Sequence, residues 1–381
     1  MLVKIVLSGI YIHIPFCTKA CHYCDFHFST NLSNKSTLTN AICEEIKLRK
    51  KEFSGAFNSI YFGGGTPSLL TLAELEKIMN QIFIYVDSSQ IQEVTIEVNP
   101  EDITVELLRG YQKLGINRLS IGVQSLDDKI LSWMNRNHSS EKAIKAINQA
   151  QKLGIENISV DFIYGVPNFP NRNISNELYQ LLNNSPFHIS CYHFTIEEKT
   201  YFGWLKKQEK LAELNDLKSE EEFKLITQTL EQKGYDHYEI SNFSLSGKAS
   251  KHNTNYWKKQ QYVGLGPSAH SYTYPIRKWN ISNNAAYIKQ MQQGKLNQEK
   301  EKLSKTDHFN ELIMLGLRTK EGVNIEEALL LIETNQQDQI KLKIQEFIED
   351  KLLAKEGPII SLRKEKWLLS EYVSRELFIL N

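Results

Sequence analysis

Six apolar, β-rich runs recur through the first two hundred residues, and most of the intervals between them have the apolar spacing of helices. Strands that alternate with helices pair in parallel through right-handed crossovers. The pattern therefore predicts an α/β fold that forms a (βα) barrel or part of one. The predicted strands are 9–15, 59–63, 93–98, 118–124, 158–164 and 188–195.

One face of these strands is repeatedly polar. Side chains alternate between two faces along a strand, which places Glu97 and Asp161 on the polar face, together with Cys191, His193 and Thr195 of the sixth strand. Buried parallel strands are normally apolar on both faces, and an eight-stranded barrel fills its interior with branched apolar side chains. We therefore expect an incomplete, six-stranded barrel with a polar lumen that holds a ligand.

The alternation of strands and helices stops after a predicted helix at 219–233. An aromatic and glycine-rich segment follows, then helices at 305–317, 325–332 and 339–353, then short strands near 359–362 and 367–369. Helices followed by a hairpin resemble a small winged-helix-like unit. We expect a barrel domain over residues 1–240 and a smaller α+β domain over residues 241–381.

Composition excludes several classes of function. Lysine plus arginine equals aspartate plus glutamate at 45 each, and a neutral chain is a poor candidate for binding nucleic acid or an acidic membrane. No apolar run approaches the length of a membrane span. His13 and Pro15 interrupt the hydrophobic N-terminal stretch, which lacks a small-residue cleavage site, so we expect a strand rather than a signal peptide, and a cytoplasmic protein.

Three cysteines fall close together just after the first predicted strand. Cys17, Cys21 and Cys24 have the spacing C-x3-C-x2-C, which can bind three irons of a [4Fe–4S] cluster and leave the fourth iron without a protein ligand. A structural zinc site normally has four ligands, and His22 is badly spaced to be the fourth. Two further cysteines stand alone and are expected to be buried small hydrophobic residues, Cys43 and Cys191.

The motifs around these cysteines resemble those of the radical S-adenosylmethionine superfamily and, within it, the oxygen-independent coproporphyrinogen III oxidase-like group. The resemblance begins at IYIHIPFCTKACHYCDF and YFGGGTPSLL and continues through RLSIGVQSLDD, DFIYGVP, YEISNF, HNTNYW, GLGPSAHSY and MLGLRTKEGV. It implies a partial (βα)6 radical-SAM barrel, a [4Fe–4S] cluster on the three cysteines and S-adenosylmethionine on the open iron. In that superfamily, reduction of the cluster cleaves the sulfonium to a 5′-deoxyadenosyl radical.

The resemblance also implies which residues hold S-adenosylmethionine. A glycine turn after the second strand lets the backbone approach the methionine amine and carboxylate closely, while aromatic and polar side chains contact the rest of the cofactor. The alternative for each polar residue is a hydrogen-bonded barrel residue or, for the arginine, a surface side chain. The implied residues are Tyr11, Tyr23, Gly64, Gly65, Thr66, Glu97, Gln124, Arg136 and Asp161.

Two branches of this group differ just after the third cysteine. The genuine oxidases have a further cysteine two residues after Cys24, where this chain has Phe26, which counts against decarboxylation of coproporphyrinogen III. The haem chaperones of HemW type resemble this chain in C-D-F and H-N-x-x-Y-W. By that resemblance His252 is a candidate haem ligand, with Tyr256 and Trp257 as walls of a haem pocket. Cys191 and His270 are lesser candidates for the haem ligand, and the alternative is that the motif packs the second domain on the barrel.

Three functional hypotheses follow. The first is a haem chaperone that binds haem, transfers it to an acceptor protein, and carries the cluster and S-adenosylmethionine, with a flavodoxin-like electron donor. The second is an enzyme, an oxygen-independent coproporphyrinogen III dehydrogenase that makes protoporphyrinogen IX by two oxidative decarboxylations. The third is a cluster-bearing binding protein without radical chemistry. The sequence identifies neither a catalytic residue nor the haem acceptor.

Overall fold

The computed structural model describes residues 7–380, so the first six residues of the hydrophobic N-terminal stretch lie outside the described residues. Six strands follow the predicted runs, and each pairs in parallel with the next along the chain. They are β1 (Leu7–Ile14), β2 (Ala56–Gly64), β3 (Glu93–Val98), β4 (Arg118–Gln124), β5 (Ile158–Tyr164) and β6 (His188–His193). β1 and β6 do not pair with each other, so the predicted partial barrel is confirmed.

Helices fill the connections between these strands. Thr71 begins the second helix with the predicted capping box, since its hydroxyl accepts the Glu74 N–H at 3.2 Å and the Glu74 carboxylate accepts the Thr71 N–H at 2.8 Å. Six of these helices bury an apolar face in the main core, and the two that contribute Ile130 and Phe202 pack in a separate apolar cluster. The helices are α1 (Lys35–Leu48), α2 (Leu72–Phe83), α3 (Val105–Lys113), α4 (Asp128–Trp133), α5 (Ser140–Lys152), α6 (Ile174–Leu182), α7 (Tyr201–Lys207) and α8 (Asp216–Gln232).

The inner faces of the strands are polar, as predicted for β3, β4 and β5. The prediction was wrong for one residue of β6. Cys191 is 3% exposed and belongs to the apolar core, whereas Tyr192 lines the lumen. The tyrosine ring makes the inner face of this strand look apolar in the sequence, although the hydroxyl is polar. His193 and Thr195, at and beyond the end of β6, do line the lumen.

The same sheet continues on both sides of the barrel strands. Six further strands, β7 to β12 in chain order, extend it to the order β12-β11-β10-β9-β1-β2-β3-β4-β5-β6-β8-β7. The sheet therefore continues past residue 240, and the division of the chain into two domains at that residue stays a prediction. The added elements are β7 (Asp236–Glu239), β8 (Asn242–Ser244), α9 (Lys251–Trp257), β9 (Tyr262–Leu265), β10 (His270–Thr273), β11 (Ile276–Asn280), α10 (Asn284–Gln292) and β12 (Gln298–Lys302).

A buried carboxylate ties this extension to the first helix. Glu45 of α1 is 0% exposed and accepts hydrogen bonds from Arg49 at 2.7 Å, Asn280 at 2.8 Å, Tyr287 at 2.6 Å and the Gly266 N–H at 2.8 Å. A buried charge is tolerated when it is paired and fully hydrogen-bonded. The strands that follow α9 are therefore fixed to the barrel by polar contacts as well as by the sheet.

The rest of the chain is a small helical unit with a hairpin, whose apolar side chains join the core of the barrel. Its three strands have the order β13-β15-β14. The predicted strand near 367–369 is wrong: these residues lie in a 3₁₀ helix, Lys364–Leu369, and the hairpin forms earlier, because Gly357 has a φ of 59° and turns the chain between β14 and β15. The elements are α11 (Lys305–Gly316), β13 (Val323–Asn324), α12 (Ile325–Leu329), α13 (Thr334–Glu349), β14 (Leu353–Glu356), β15 (Ile359–Leu362) and α14 (Ser370–Glu376).

Across residues 7–380, none of the helices has both the length and the apolar character that crossing a bilayer requires.

Candidate functional site

A pocket of about 510 Å³ opens at the carboxyl ends of the barrel strands. This is the edge of a parallel sheet at which ligands usually bind. The pocket brings together all three predicted cluster cysteines and most of the residues predicted to hold S-adenosylmethionine. These are Cys17, Cys21 and Cys24, with Tyr23, Gly64, Gly65, Thr66, Glu97, Gln124, Arg136 and Asp161.

The cysteine loop between β1 and α1 is held by hydrogen bonds to the segment that follows α4. The His22 N–H donates to the Met134 carbonyl at 3.1 Å, and Asn135 Nδ2 donates to the Ala20 carbonyl at 2.6 Å. The His22 imidazole is engaged elsewhere, since Nδ1 donates to the Trp133 carbonyl at 2.9 Å. The loop is therefore positioned by its neighbours, and His22 is occupied in a structural contact.

The environment of the three thiols suits a cluster. Thr66 Oγ1 lies 3.5 Å from Cys17 Sγ, and Arg136 Nη1 lies 3.5 Å from Cys21 Sγ, which are the donor contacts that tune cluster sulfurs. Burial raises the pKa of Cys17, and it raises the pKa of Cys24 to about 12. Both thiols therefore keep their protons until a metal displaces them.

Within residues 7–380, no group of three or more His, Cys, Asp or Glu side chains is placed to hold a metal ion. A [4Fe–4S] cluster does not require three side chains around one ion, because it takes each thiolate on a different iron. The other two cysteines are buried small residues, as predicted: Cys43 is 4% exposed on α1 and Cys191 is 3% exposed on β6.

The glycine turn after β2 is required by the packing of the protein itself. Gly64 has a φ of 109°, and a Cβ atom there would lie 2.6 Å from the His13 ring. A Cβ atom at Gly65 would lie 2.7 Å from the Phe16 carbonyl oxygen. The Gly64 N–H donates to Glu97 Oε2 at 3.0 Å, so this peptide group holds a carboxylate of the pocket.

Two carboxyl groups of the lumen resist ionisation. The pKa of Glu97 is raised to about 7, because burial and the nearby Asp161 raise it by more than the Tyr61 hydroxyl and the Gly64 N–H lower it. Burial likewise raises the pKa of Asp161 to about 6. Tyr61 donates to Glu97 Oε1 at 2.8 Å. Perturbed carboxyl groups in a cleft indicate a functional site, here one suited to a cationic or hydroxyl-rich ligand.

Arg136 connects the cysteine loop to the strand ends. Its Nη2 donates to Asn99 Oδ1 at 2.7 Å and to the Gly122 carbonyl at 2.8 Å, in addition to the contact with Cys21. Gln124 lies beside it with a φ of 67°, at a register shift between β4 and β5. A residue other than glycine in the left-handed region is strained, and such strain is concentrated at functional sites.

Sequence reasoning missed several lining residues, among them Asn99 and Tyr192. Asn99 directly follows β3, and a polar residue just beyond the carboxyl end of a parallel strand was the available signal. Tyr192 was missed because its ring is apolar and the inner face of the strand was expected to be polar.

Tyr11 does not join the pocket lining. It lies one layer deeper, where its hydroxyl hydrogen-bonds His13 Nδ1 at 3.0 Å and its ring stacks on Tyr61 with centroids 6.1 Å apart.

The structure places the H-N-x-x-Y-W motif outside the lining of the pocket, so the role of His252 as a haem ligand stays a prediction. His252 is 1% exposed, Ser59 Oγ lies 3.0 Å from its Nδ1, and the Tyr256 hydroxyl lies 3.0 Å from its Nε2. Burial lowers the pKa of His252 to about 3. Both ring nitrogens lie within hydrogen-bond distance of a hydroxyl group. Trp257 is half-buried beneath the Arg318 guanidinium, 5.5 Å from the ring centroid.

Phe26 lines the pocket and is 66% exposed. The position at which the oxidases carry a further cysteine is therefore an apolar ring at the mouth of this pocket.

Comparisons with known proteins agree with this architecture. The Radical SAM superfamily matches residues 11–177, and the HemN C-terminal domain matches residues 303–369. The chain superposes on a solved structure, that of coproporphyrinogen III oxidase (HemN) from Escherichia coli, a radical SAM enzyme, with a TM-score of 0.82 and 20% identity, over 97% of this chain and 90% of that one. At this identity the likeness shows the fold alone.

Curated relatives show the family. The heme chaperone HemW of Lactococcus lactis is 31% identical over 347 residues, which is 91% of this chain and 90% of that relative. HemW of Bacillus subtilis is 32% identical over 84% of this chain and 85% of its own length. The mitochondrial radical S-adenosyl methionine domain-containing protein 1 of Danio rerio is 31% identical over 84% of this chain and 74% of its own length. The chain belongs to the HemW family of haem chaperones within the radical S-adenosylmethionine superfamily.

Proposed function

We propose that this protein is a haem chaperone that binds haem and passes it to an acceptor protein, and that it carries a [4Fe–4S] cluster and S-adenosylmethionine. The observation that carries the proposal is that three free cysteines and a set of polar strand-end side chains meet in one pocket, in a chain that matches HemW relatives over most of their length.

We assign the cluster to Cys17, Cys21 and Cys24, and S-adenosylmethionine to the polar residues around them. When bound, the cluster supplies one electron to the sulfonium of the cofactor. The chain's own part is to hold and orient: Thr66 and Arg136 donate toward the cysteine sulfurs. The Glu97 carboxylate, fixed by two donors, offers its remaining lone pairs to the ligand.

We further propose that the protein works in the cytoplasm with a one-electron donor of flavodoxin type. All five cysteines are free, and free thiols persist in reducing compartments. Thr18, Lys19 and Ala20 of the cysteine loop are exposed. A donor can therefore reach the loop that carries the cluster ligands.

A paired assay on one reconstituted sample tests the proposal. The anaerobically reconstituted protein is titrated with haem and, separately, given coproporphyrinogen III, reductant and S-adenosylmethionine without oxygen. We expect a saturable haem absorbance and no protoporphyrinogen. Turnover of the porphyrinogen without stable haem binding would instead establish the dehydrogenase.

Radical chemistry is tested by the same sample. Reduction in the presence of S-adenosylmethionine should release 5′-deoxyadenosine, and Cys17→Ala should abolish the release. Haem binding without any 5′-deoxyadenosine would reduce the proposal to a cluster-bearing binding protein.

A further inference from the structure

The H-N-x-x-Y-W motif forms α9, a short helix that closes the amino end of the barrel lumen. Its first turn is anchored on Glu93, the first inward-facing residue of β3. The N–H groups of Lys251 and His252 each donate to this carboxylate at 3.0 Å. Asn255 Nδ2 donates to Asn58 Oδ1 at 2.9 Å. The helix is thus fixed to β2 and β3 by buried polar contacts, which are costly to break.

The His252 ring lies against the tyrosine that holds the pocket carboxylate. His252 and Tyr61 are stacked with centroids 5.0 Å apart and an angle of 27° between the ring planes. Tyr61 in turn donates to Glu97 Oε1 at 2.8 Å. Ser59, which hydrogen-bonds His252 Nδ1, lies on the same face of β2 as Tyr61, two residues before it.

The His252 and Tyr61 rings are closely packed against the neighbouring strands. A Cβ atom at Gly9 would lie 3.0 Å from the His252 ring, and one at Gly63 would lie 2.8 Å from the Tyr61 ring and 3.0 Å from Glu97 Oε1. Because the rings are close-packed, a change in the orientation of His252 must be taken up by Tyr61.

We infer that His252 and Tyr256 are positioning residues that fix the Tyr61 ring and, through its hydroxyl, the Glu97 carboxylate of the S-adenosylmethionine pocket, and that they do not bind haem iron. Tyr256 locks the imidazole from one side through Nε2, and Ser59 locks it from the other through Nδ1. The ring stack then carries this fixed orientation to the only donor that β2 contributes to Glu97 Oε1 among the described hydrogen bonds. The inference rests on the assignment of Glu97 to the cofactor pocket made under the proposed function.

The test measures S-adenosylmethionine affinity and haem binding on reconstituted protein variants. Tyr61→Phe removes the donor to Glu97 and should raise the Kd for S-adenosylmethionine about tenfold. Tyr256→Phe and Ser59→Ala each remove one lock on His252 and should raise the Kd about threefold. Tyr262→Phe is the matched control, because it removes a tyrosine hydroxyl one ring farther along, 4.7 Å beyond the Tyr256 ring, and should leave the Kd unchanged.

Haem binding supplies the second readout. His252→Phe keeps a ring and removes both nitrogens, so the haem absorbance and stoichiometry should equal those of the wild type. Iron and sulfide content should also be unchanged, while the spectral change that S-adenosylmethionine produces in the reduced cluster should need more cofactor to saturate. A role limited to folding would lower the melting temperature and the cluster content without moving that titration.

Two results would overturn the inference. One is loss of haem absorbance in His252→Phe with an unchanged Kd for S-adenosylmethionine; the other is an unchanged Kd in both Tyr256→Phe and Ser59→Ala. A wild-type protein that fails to bind S-adenosylmethionine at all would instead overturn the proposed function, and this inference with it.

Discussion

Glu97 should make the fold less stable as its carboxyl group ionises, and Glu97→Gln should remove that dependence on pH. Burial raises the pKa of Glu97 from 4.5 to about 7. The folded protein therefore holds more protons than the unfolded chain between about pH 4.5 and 7, so the contribution of Glu97 to the free energy of unfolding falls as the pH rises through this interval and is flat above it. At about 1.36 kcal/mol for each pKa unit, the whole interval corresponds to about 3 kcal/mol.

The assay is urea unfolding of the metal-free wild type and of Glu97→Gln at pH 5 and pH 8, under reducing conditions. Other groups titrate in both proteins, and the coupling of Glu97 to Asp161 is part of the measured effect. The free energy of unfolding of Glu97→Gln, relative to that of the wild type, should increase by about 2.5 kcal/mol from pH 5 to pH 8. Glu141→Gln is the matched control, since that carboxylate sits on the surface with 74% of its side chain exposed, and its effect should stay within about 0.5 kcal/mol at both pH values.

A difference in the free energy of unfolding between Glu97→Gln and the wild type that is the same at pH 5 and pH 8 would refute the reasoning. The carboxyl group would then titrate alike in the folded and unfolded states. The same variant should bind S-adenosylmethionine at least tenfold more weakly in the reconstituted protein, since a hydrogen bond to a charged group is worth about 1.5–3 kcal/mol. Together, the two results would show that the Glu97 carboxylate destabilises the fold without ligand and strengthens ligand binding, as expected of a residue kept for function.

Three further changes test other parts of the structure. Cys17→Ala should remove most of the iron and sulfide retained after anaerobic reconstitution, and retention of a full cluster would contradict the assignment. Arg136→Met removes the guanidinium that lies 3.5 Å from Cys21 Sγ in the proposed cofactor pocket. The loss of a hydrogen bond from a charged donor costs about 1.5 kcal/mol. The Kd for S-adenosylmethionine should therefore rise tenfold or more, as measured by isothermal titration. Glu45→Ala leaves Arg49, 2% exposed, with Glu52 as its remaining carboxylate partner and removes the buried acceptor of Asn280 and Tyr287. The free energy of unfolding should fall by about 3–5 kcal/mol, and a loss under 1 kcal/mol in urea unfolding would refute that account.

The barrel was predictable from sequence because its strands obey a period of two and its helices a period of 3.6. Both bounds of β3, β4 and β5 and the capping box at Thr71 followed from these local rules. The extension of the sheet was not predictable, because β9 pairs with β1, more than two hundred residues earlier in the chain. Nothing in a local pattern states which distant strand will complete an edge.

The pocket residues were predicted from the resemblance to the radical S-adenosylmethionine superfamily, and the strand order explains why they meet. Parallel strands bring their carboxyl ends to one edge, and Gly64, Glu97 and Gln124 each stand at or near the carboxyl end of a strand. The features that escaped prediction depend on ring orientation: the Tyr192 ring concealed a lining residue, and the Tyr11 ring lies below the pocket instead of in it.

The haem motif shows where such reasoning stops. The letters H-N-x-x-Y-W place an imidazole one helical turn from a tyrosine, and that spacing suits an iron ligand in a ring-walled pocket as well as it suits a buried hydrogen bond. The structure adds a tertiary contact that favours the buried hydrogen bond, because Nδ1 lies 3.0 Å from Ser59 Oγ, 193 residues away in the sequence. Because helix spacing fixes only the contact between His252 and Tyr256, the tertiary contact had to be seen before the imidazole could be assigned to the barrel floor. A motif match thus identified the family correctly while leaving the work of its histidine to be determined by the fold.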